Sequence, residues 1–260
     1  MADLAEIVAD LRAEGDQLYK FLLTLDDEDW SKETKFKSWT PNDVVGHLHF
    51  FDYVGVESHK GEEAFGAVAA KLGQKGYIEE YLDGATGKVL AERWIKMLHE
   101  MCDRFSTSEA SRRLKWFGPD MGISMFTTAR LMETWSHSWA IYDLKGEGRE
   151  QFDRIKSIAT IGVKTYGWTF VNRKVEVPEP KPYIEIKAPS GEIWTWNEPQ
   201  ADNKITGDAV EFCQVVSQVR NIADVNLEVV GGPANQWMEV AQCFAGPPND
   251  PPEPGSRGLS

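Results

Sequence analysis

Basic residues are scarce in this chain: 28 Lys and Arg stand against 41 Asp and Glu, a formal net charge of −13. Binding to nucleic acid needs a basic stripe that displaces phosphate counterions, and no such stripe stands out, so no nucleic-acid partner is expected. Anionic membrane surfaces are disfavoured on the same ground. Long apolar runs are missing too, since none approaches the roughly eighteen consecutive apolar residues of a spanning helix. Met1-Ala2-Asp3 carries acid where a secretory leader would carry basic residues, which points to the cytoplasm and to no membrane partner. Cysteine is sparse. Cys102, Cys213 and Cys243 are odd in number and show no CxxC spacing. They suit buried thiols in a reducing compartment better than a disulfide framework or a cysteine metal site.

What remains is a chain of 260 residues with 42% hydrophobic content, enough for one large domain or two ordinary ones with a real core. Its first part has helical period. Leu4, Ile7, Val8, Leu11, Leu18, Phe21 and Leu22 mark an amphipathic helix ending near Asp26. Thr40-Pro41-Asn42-Asp43 reads as an N-cap threonine, a proline at the first helical position and an acidic residue at N3, ahead of the run Val44–Val56. Further periodic stretches cover about Gly87–Phe105 and Ile123–Leu144, and another helix is predicted from Gln151 to Lys174. Helices without intervening strands predict an antiparallel bundle, in whose interior ligand and metal sites are built from facing side chains.

Val177-Pro178-Glu179-Pro180-Lys181-Pro182 ends the pattern, because three closely spaced prolines cannot continue a helix. The expected organisation is α+β: a helical domain over 1–177, a small α/β domain over 178–246, and a Pro-rich tail over 247–260 without fixed structure. In the second domain, Tyr183–Ile186 and Ile193–Trp196 flank Pro189-Ser190-Gly191 as two strands around a turn, with Lys204-Ile205-Thr206 as a third. Asp208–Val219 is apolar at helical intervals, Val225–Val230 alternates like a strand, and Ala234–Phe244 reads as a closing helix.

The chemistry-bearing residues lie in the helical part, which holds all five histidines: His47, His49, His59, His99 and His137. Glu133 and His137 are four residues apart within an apolar run, so on a helix they share a face and can close on one divalent cation. A Glu-x3-His pair alone is equally an ion pair or a hydrogen-bonded core histidine. Its setting among Leu131, Met132, Trp135, Trp139 and Ile141 makes an uncompensated carboxylate costly there. His47, among Val44, Val45, Leu48 and Phe51, is the third candidate ligand. Two His and one Glu match the ligand count of a catalytic site that keeps a position open. His49 lies about 200° round the helix from His47 and is structural or exposed. Asp43 is a rival ligand at i−4 from His47, although its place at a helix start favours capping. His59 and His99 sit beside charged residues and read as solvent-facing. Trp39, Trp135 and Trp139 either line a ligand cavity or belong to an aromatic core.

At these residues the chain resembles a known group. Trp39-Thr40-Pro41-Asn42-Asp43-Val44-Val45-Gly46-His47-Leu48 and Arg130-Leu131-Met132-Glu133-Thr134-Trp135-Ser136-His137 are similar to the two metal-site segments of the DinB-like metal-dependent superfamily, and most of all to its mycothiol-dependent maleylpyruvate isomerase branch. The likeness extends to Ile205-Thr206-Gly207-Asp208-Ala209 and Val216–Arg220. It implies a DinB-like antiparallel four-helix bundle followed by a small α/β domain, as monomer or homodimer. It also implies a metal held by His47, Glu133 and His137, with zinc, nickel or iron suiting those ligands. Arg220 matches an arginine that the family places near its active site, although Val219 stands where the family often has glycine.

The implied cofactors are that divalent metal and a low-molecular-weight thiol such as mycothiol or glutathione. A thiol at the open position would ionise and add reversibly to an electron-poor double bond, giving cis/trans isomerisation, or S-transfer if it stays on the product. Arg220 would clamp the carboxylate of a small unsaturated acid. Two other classes stay open: metal-assisted hydrolysis, which would need a general base, and non-catalytic binding of a small molecule.

Overall fold

The computed structural model describes residues 3–258. Two compact units divide the chain, Met1–Ile141 and Tyr142–Ser260. Among the described residues no helix is long and apolar enough to cross a membrane.

The first unit is helical. α1 (Leu4–Leu22) buries Leu4, Ile7, Val8, Leu11, Leu18, Phe21 and Leu22, one apolar stripe at i, i+3, i+4 spacing. α2 (Pro41–Lys60) starts at a complete capping box. The Thr40 hydroxyl accepts the Asp43 N–H, and the Asp43 carboxylate accepts the Thr40 N–H at 2.8 Å. Two short helices follow, α3 (Glu62–Leu72) and α4 (Tyr77–Leu82), in a stretch where the sequence pattern predicts no helix. Their signal is weak for a physical reason: α3 buries only Phe65 and Val68, and α4 is too short to show a period. Both close over Phe50 and Tyr53 of α2, and α4 adds Tyr77 and Tyr81 to the same aromatic cluster.

α5 (Gly87–Ser106) packs against both α1 and α2. A two-residue antiparallel ladder, β1 (Arg113–Leu114) with β2 (Met121–Gly122), leads into α6 (Ile123–Lys145), whose last turn falls in the second unit. Gly55 of α2 shows how tightly these helices meet, because a Cβ there would lie 2.7 Å from Met101 Sδ of α5 and 3.1 Å from the Phe126 ring of α6. Close approach of α2 and α6 is what brings residues 47 and 133 into range.

In the second unit the single helix expected over Gln151–Lys174 is divided into α7 (Lys156–Lys164) and α8 (Tyr166–Asn172). Thr165 stands at the break. Its hydroxyl donates to the carbonyls of Ile161 and Gly162 at 2.8 and 2.9 Å, in competition with the backbone ladder. A four-stranded sheet follows, in the order β4 (Ile193–Trp196), β3 (Tyr183–Lys187), β5 (Lys204–Asp208), β6 (Glu228–Val230). β3 pairs antiparallel with β4 and parallel with β5, and β6 is antiparallel to β5. Ile184 and Ile186 point to the buried face of β3 while Glu185 and Lys187 point out, the period-2 alternation of a half-buried strand.

α9 (Ala209–Val216) is N-capped by Asp208. α10 (Gly232–Met238) stops short of the expected Phe244, because the Cys243 N–H is taken by the Val216 carbonyl at 2.9 Å. The proline-rich segment 247–258 also differs from the expectation of no fixed structure. Asp250 pairs with Arg173 at 2.8 Å, the Pro252 carbonyl accepts from Asn221, and Arg257 donates to the Gln218 carbonyl. Proline forbids helix there but leaves carbonyls free to be bound by side chains. Cys102, Cys213 and Cys243 form no disulfide among the described residues and are buried.

Candidate metal centre

His47 comes from the second turn of α2, and Glu133 and His137 from adjacent turns of α6. Their side chains meet at one carboxylate oxygen. Glu133 Oε2 lies 3.3 Å from His47 Nε2 and 3.1 Å from His137 Nε2. All three donor atoms fall within 4.8 Å of one another. Two ligands about 2.0–2.1 Å from one tetrahedral ion lie roughly 3.3 Å apart. The donor set, two imidazole nitrogens and a carboxylate oxygen at those separations, fits a divalent cation without rearrangement of the helices.

The charge state fits as well. Burial holds the His47 imidazole down, to about 4, against the opposing pull of Glu133, so near neutrality the ring is uncharged and one of its two nitrogens keeps a lone pair. For Glu133 burial pushes upward, but hydrogen bonds from His137 and His47 outweigh it and leave the carboxyl well below its usual range. The site therefore offers an ionised carboxylate between imidazoles.

Behind it lies a second, fully buried contact that the motif reading passed over. Arg130, one turn before Glu133, places Nε 2.8 Å from Asp52 Oδ1, and Trp94 Nε1 donates to Asp52 Oδ2 at 3.0 Å. Asp52 is 0% exposed and Arg130 4%. The available signal was one acidic residue inside an otherwise apolar helix face. Aromatic rings surround the imidazoles: Trp39 contacts both, Phe36 contacts His137 and Phe51 contacts His47.

The other sequence candidates fall elsewhere. Asp43 is occupied by the capping box. His49 is buried, with Nε2 3.4 Å from the Tyr81 hydroxyl and Nδ1 without a hydrogen-bond partner among the described residues. His59 meets Ser108 and His99 meets Asp16, each at 2.7 Å. Trp135 is fully buried in core. Arg220 is buried in the second unit, its Nη2 2.6 Å from Asp143 Oδ1.

Burial also lowers His49, to about 4. For both His47 and His49 the folded value lies below the unfolded value near 6.5, so the unfolded chain binds more protons between those limits and stability falls as pH drops from about 6.5 towards 4. Urea denaturation of the metal-free protein is expected to lose on the order of 2 kcal/mol per histidine between pH 7 and pH 5. His49→Asn should remove about half of that slope. A flat profile would contradict the buried, neutral state of both rings.

Residues 11–142 match the family model described as the mycothiol maleylpyruvate isomerase N-terminal domain. An uncharacterized protein found in two strains of Mycobacterium tuberculosis is 33% identical over 253 residues, covering 95% of this chain and 98% of its own. Among solved structures, a histidine-to-alanine mutant of the mycothiol-dependent maleylpyruvate isomerase aligns with a TM-score of 0.57 at 11% identity, over 84% of this chain and 90% of that one. Another structure of the mycothiol-dependent maleylpyruvate isomerase aligns with a TM-score of 0.54 at 13% identity, over 82% and 88%. At such identities the likeness is one of fold, a helical part joined to a small sheet. The match over residues 11–142, about half the chain, places it in the mycothiol maleylpyruvate isomerase N-terminal domain family.

Proposed function

We propose that this protein is a metal- and thiol-dependent isomerase or S-transferase for a small unsaturated carboxylic acid of the maleylpyruvate type, working in the cytoplasm as a monomer or homodimer. The observation that carries the reading is the convergence of His47, Glu133 and His137 on one point from two helices. In it, α1, α2, α5 and α6 act as a DinB-like antiparallel four-helix bundle carrying the site.

A divalent cation held by those three residues, zinc before nickel or iron, would supply a Lewis-acidic position at which a low-molecular-weight thiol, mycothiol or glutathione, ionises near neutral pH. His47 and His137 present imidazole nitrogen donors, and Glu133 offsets part of the cation's charge. Phe36, Trp39 and Phe51 keep water from one side of the imidazoles. Arg220 is proposed as the clamp for the substrate carboxylate. Because Asp143 holds its guanidinium at 2.6 Å, a substrate would compete with Asp143 for it.

Metal analysis of the purified protein, with consumption of maleylpyruvate assayed with and without mycothiol or glutathione, tests the reading. The expected result is about one divalent ion per chain and turnover only with thiol. Metal with thiol-independent hydrolysis would favour a hydrolase, and absence of both metal and turnover would favour a binding protein.

A further inference from the structure

A ligating imidazole holds its metal only if the ring plane is fixed, and the usual device is a hydrogen bond from its second nitrogen to a carboxylate or carbonyl. No protein group among the described residues takes that part here. Among the described residues, His47 and His137 make hydrogen bonds only through Nε2, to Glu133. Rings hold them instead. Trp39 stacks on His137 with planes 15° apart and centroids 5.7 Å apart, and Phe36 meets the same imidazole edge-on at 5.1 Å and 78°. His47 is gripped between Trp39 at 5.3 Å and Phe51 at 4.8 Å. Trp39 therefore touches both imidazoles, which are themselves 4.6 Å apart.

The backbone that presents Phe36 and Trp39 is unusual in the same place. Between them, Lys37 and Ser38 both adopt left-handed conformations, with φ 53° and 56°, which cost non-glycine residues energy and persist only where the surroundings over-determine them. The constraint is visible. Trp39 N–H donates to the Phe36 carbonyl at 2.9 Å, Thr34 N–H donates to the Trp39 carbonyl at 2.8 Å, and the next residue, Thr40, caps α2. Phe36 packs edge to face on Trp39 at 5.2 Å. Neither ring is buried core, since both are partly exposed.

We infer that Trp39, seconded by Phe36, is a positioning residue that orients the two ligating imidazoles by ring packing, the strained turn at Lys37–Ser38 being the mount that aims it. This rests on the metal-centre reading for its purpose but not for its geometry, and the experiment separates the two. Full-length wild type, Trp39→Leu, Trp39→Phe and Phe36→Leu are compared by two measurements. The first is relaxation of 13C-labelled histidine rings in metal-free protein. The second is zinc affinity, from competition with a chromophoric chelator.

The expected result for Trp39→Leu is loss of ring order at His137 and His47 with zinc affinity lowered about 10- to 100-fold, the range of a lost orienting partner. Trp39→Phe, which keeps a ring, should recover part of both. A merely structural tryptophan would lower stability and leave ring order intact. Wild-type ring order in Trp39→Leu overturns the inference, as does lost ring order with unchanged zinc affinity. Should Trp39→Leu not fold, Trp39→Phe and Phe36→Leu decide by the same criteria. Should the wild type bind no zinc, the metal reading falls and ring order alone judges Trp39.

Discussion

Replacing Glu133 with glutamine is expected to weaken zinc binding by more than about 100-fold, since orienting partners alone are worth about 10- to 100-fold and this change removes the only charged donor. The reason is electrostatic. Glu133 is held ionised by the two imidazoles that share its Oε2, so it supplies the negative charge that a divalent ion needs in a half-buried site. Glutamine keeps the shape and loses the charge. The metal-free fold should change by no more than about 2 kcal/mol, because lost hydrogen bonds are partly offset by removing a desolvated charge. Zinc at 100 times its wild-type dissociation constant should stabilise the wild type by about 2.7 kcal/mol and the variant by less than about 0.4 kcal/mol. Calorimetric titration and urea denaturation with and without chelator measure both effects. Wild-type zinc affinity in Glu133→Gln would remove the proposed metal centre.

Asp52→Ala is expected to cost the first unit about 3–5 kcal/mol, the range for a buried ion pair broken on one side. Arg130 would be left 4% exposed with its partner gone, and Trp94 Nε1 would lose its acceptor. Denaturant unfolding of the metal-free protein reads the loss. The double variant Asp52→Leu with Arg130→Met should be less damaged than Asp52→Ala, since no charge is left without its partner. Zinc affinity should fall in both variants, because the pair links α2 just beyond His47 to α6 just before Glu133 and so sets the offset between the ligands. An Asp52→Ala protein as stable as the wild type would show that the pair contributes little.

The legible part of the fold follows from local physics. α1, α2, α5 and α6 are long amphipathic or apolar segments, and the Thr40–Asp43 cap carries its own hydrogen bonds, so period and capping chemistry suffice to find them. The strands β3 and β4 around a Pro-Ser-Gly turn are local in the same sense. Elements whose form depends on distant partners were not legible. α3 and α4 exist by packing on Phe50 and Val54, α10 ends early because Val216 takes the Cys243 N–H, and the 247–258 segment is placed by side chains of Arg173, Gln218 and Asn221.

The candidate site divides along the same line. That Glu133 and His137 share a face is a property of helical geometry and needs nothing beyond the sequence. The nearness of His47 is different, because 86 residues separate it from Glu133 and only the close approach of α2 to α6, permitted by Gly55 and tied by Asp52–Arg130, brings the two to 3.3 Å. So too with orientation. Motif spacing names the donors, but the rings that aim them, Trp39, Phe36 and Phe51, act through planes and centroid distances that no one-dimensional pattern encodes. Sequence by itself determined which elements form and which atoms can donate, since those depend on neighbours a few residues away; tertiary packing alone decided the register, burial and ring orientation that bring the donors to one point.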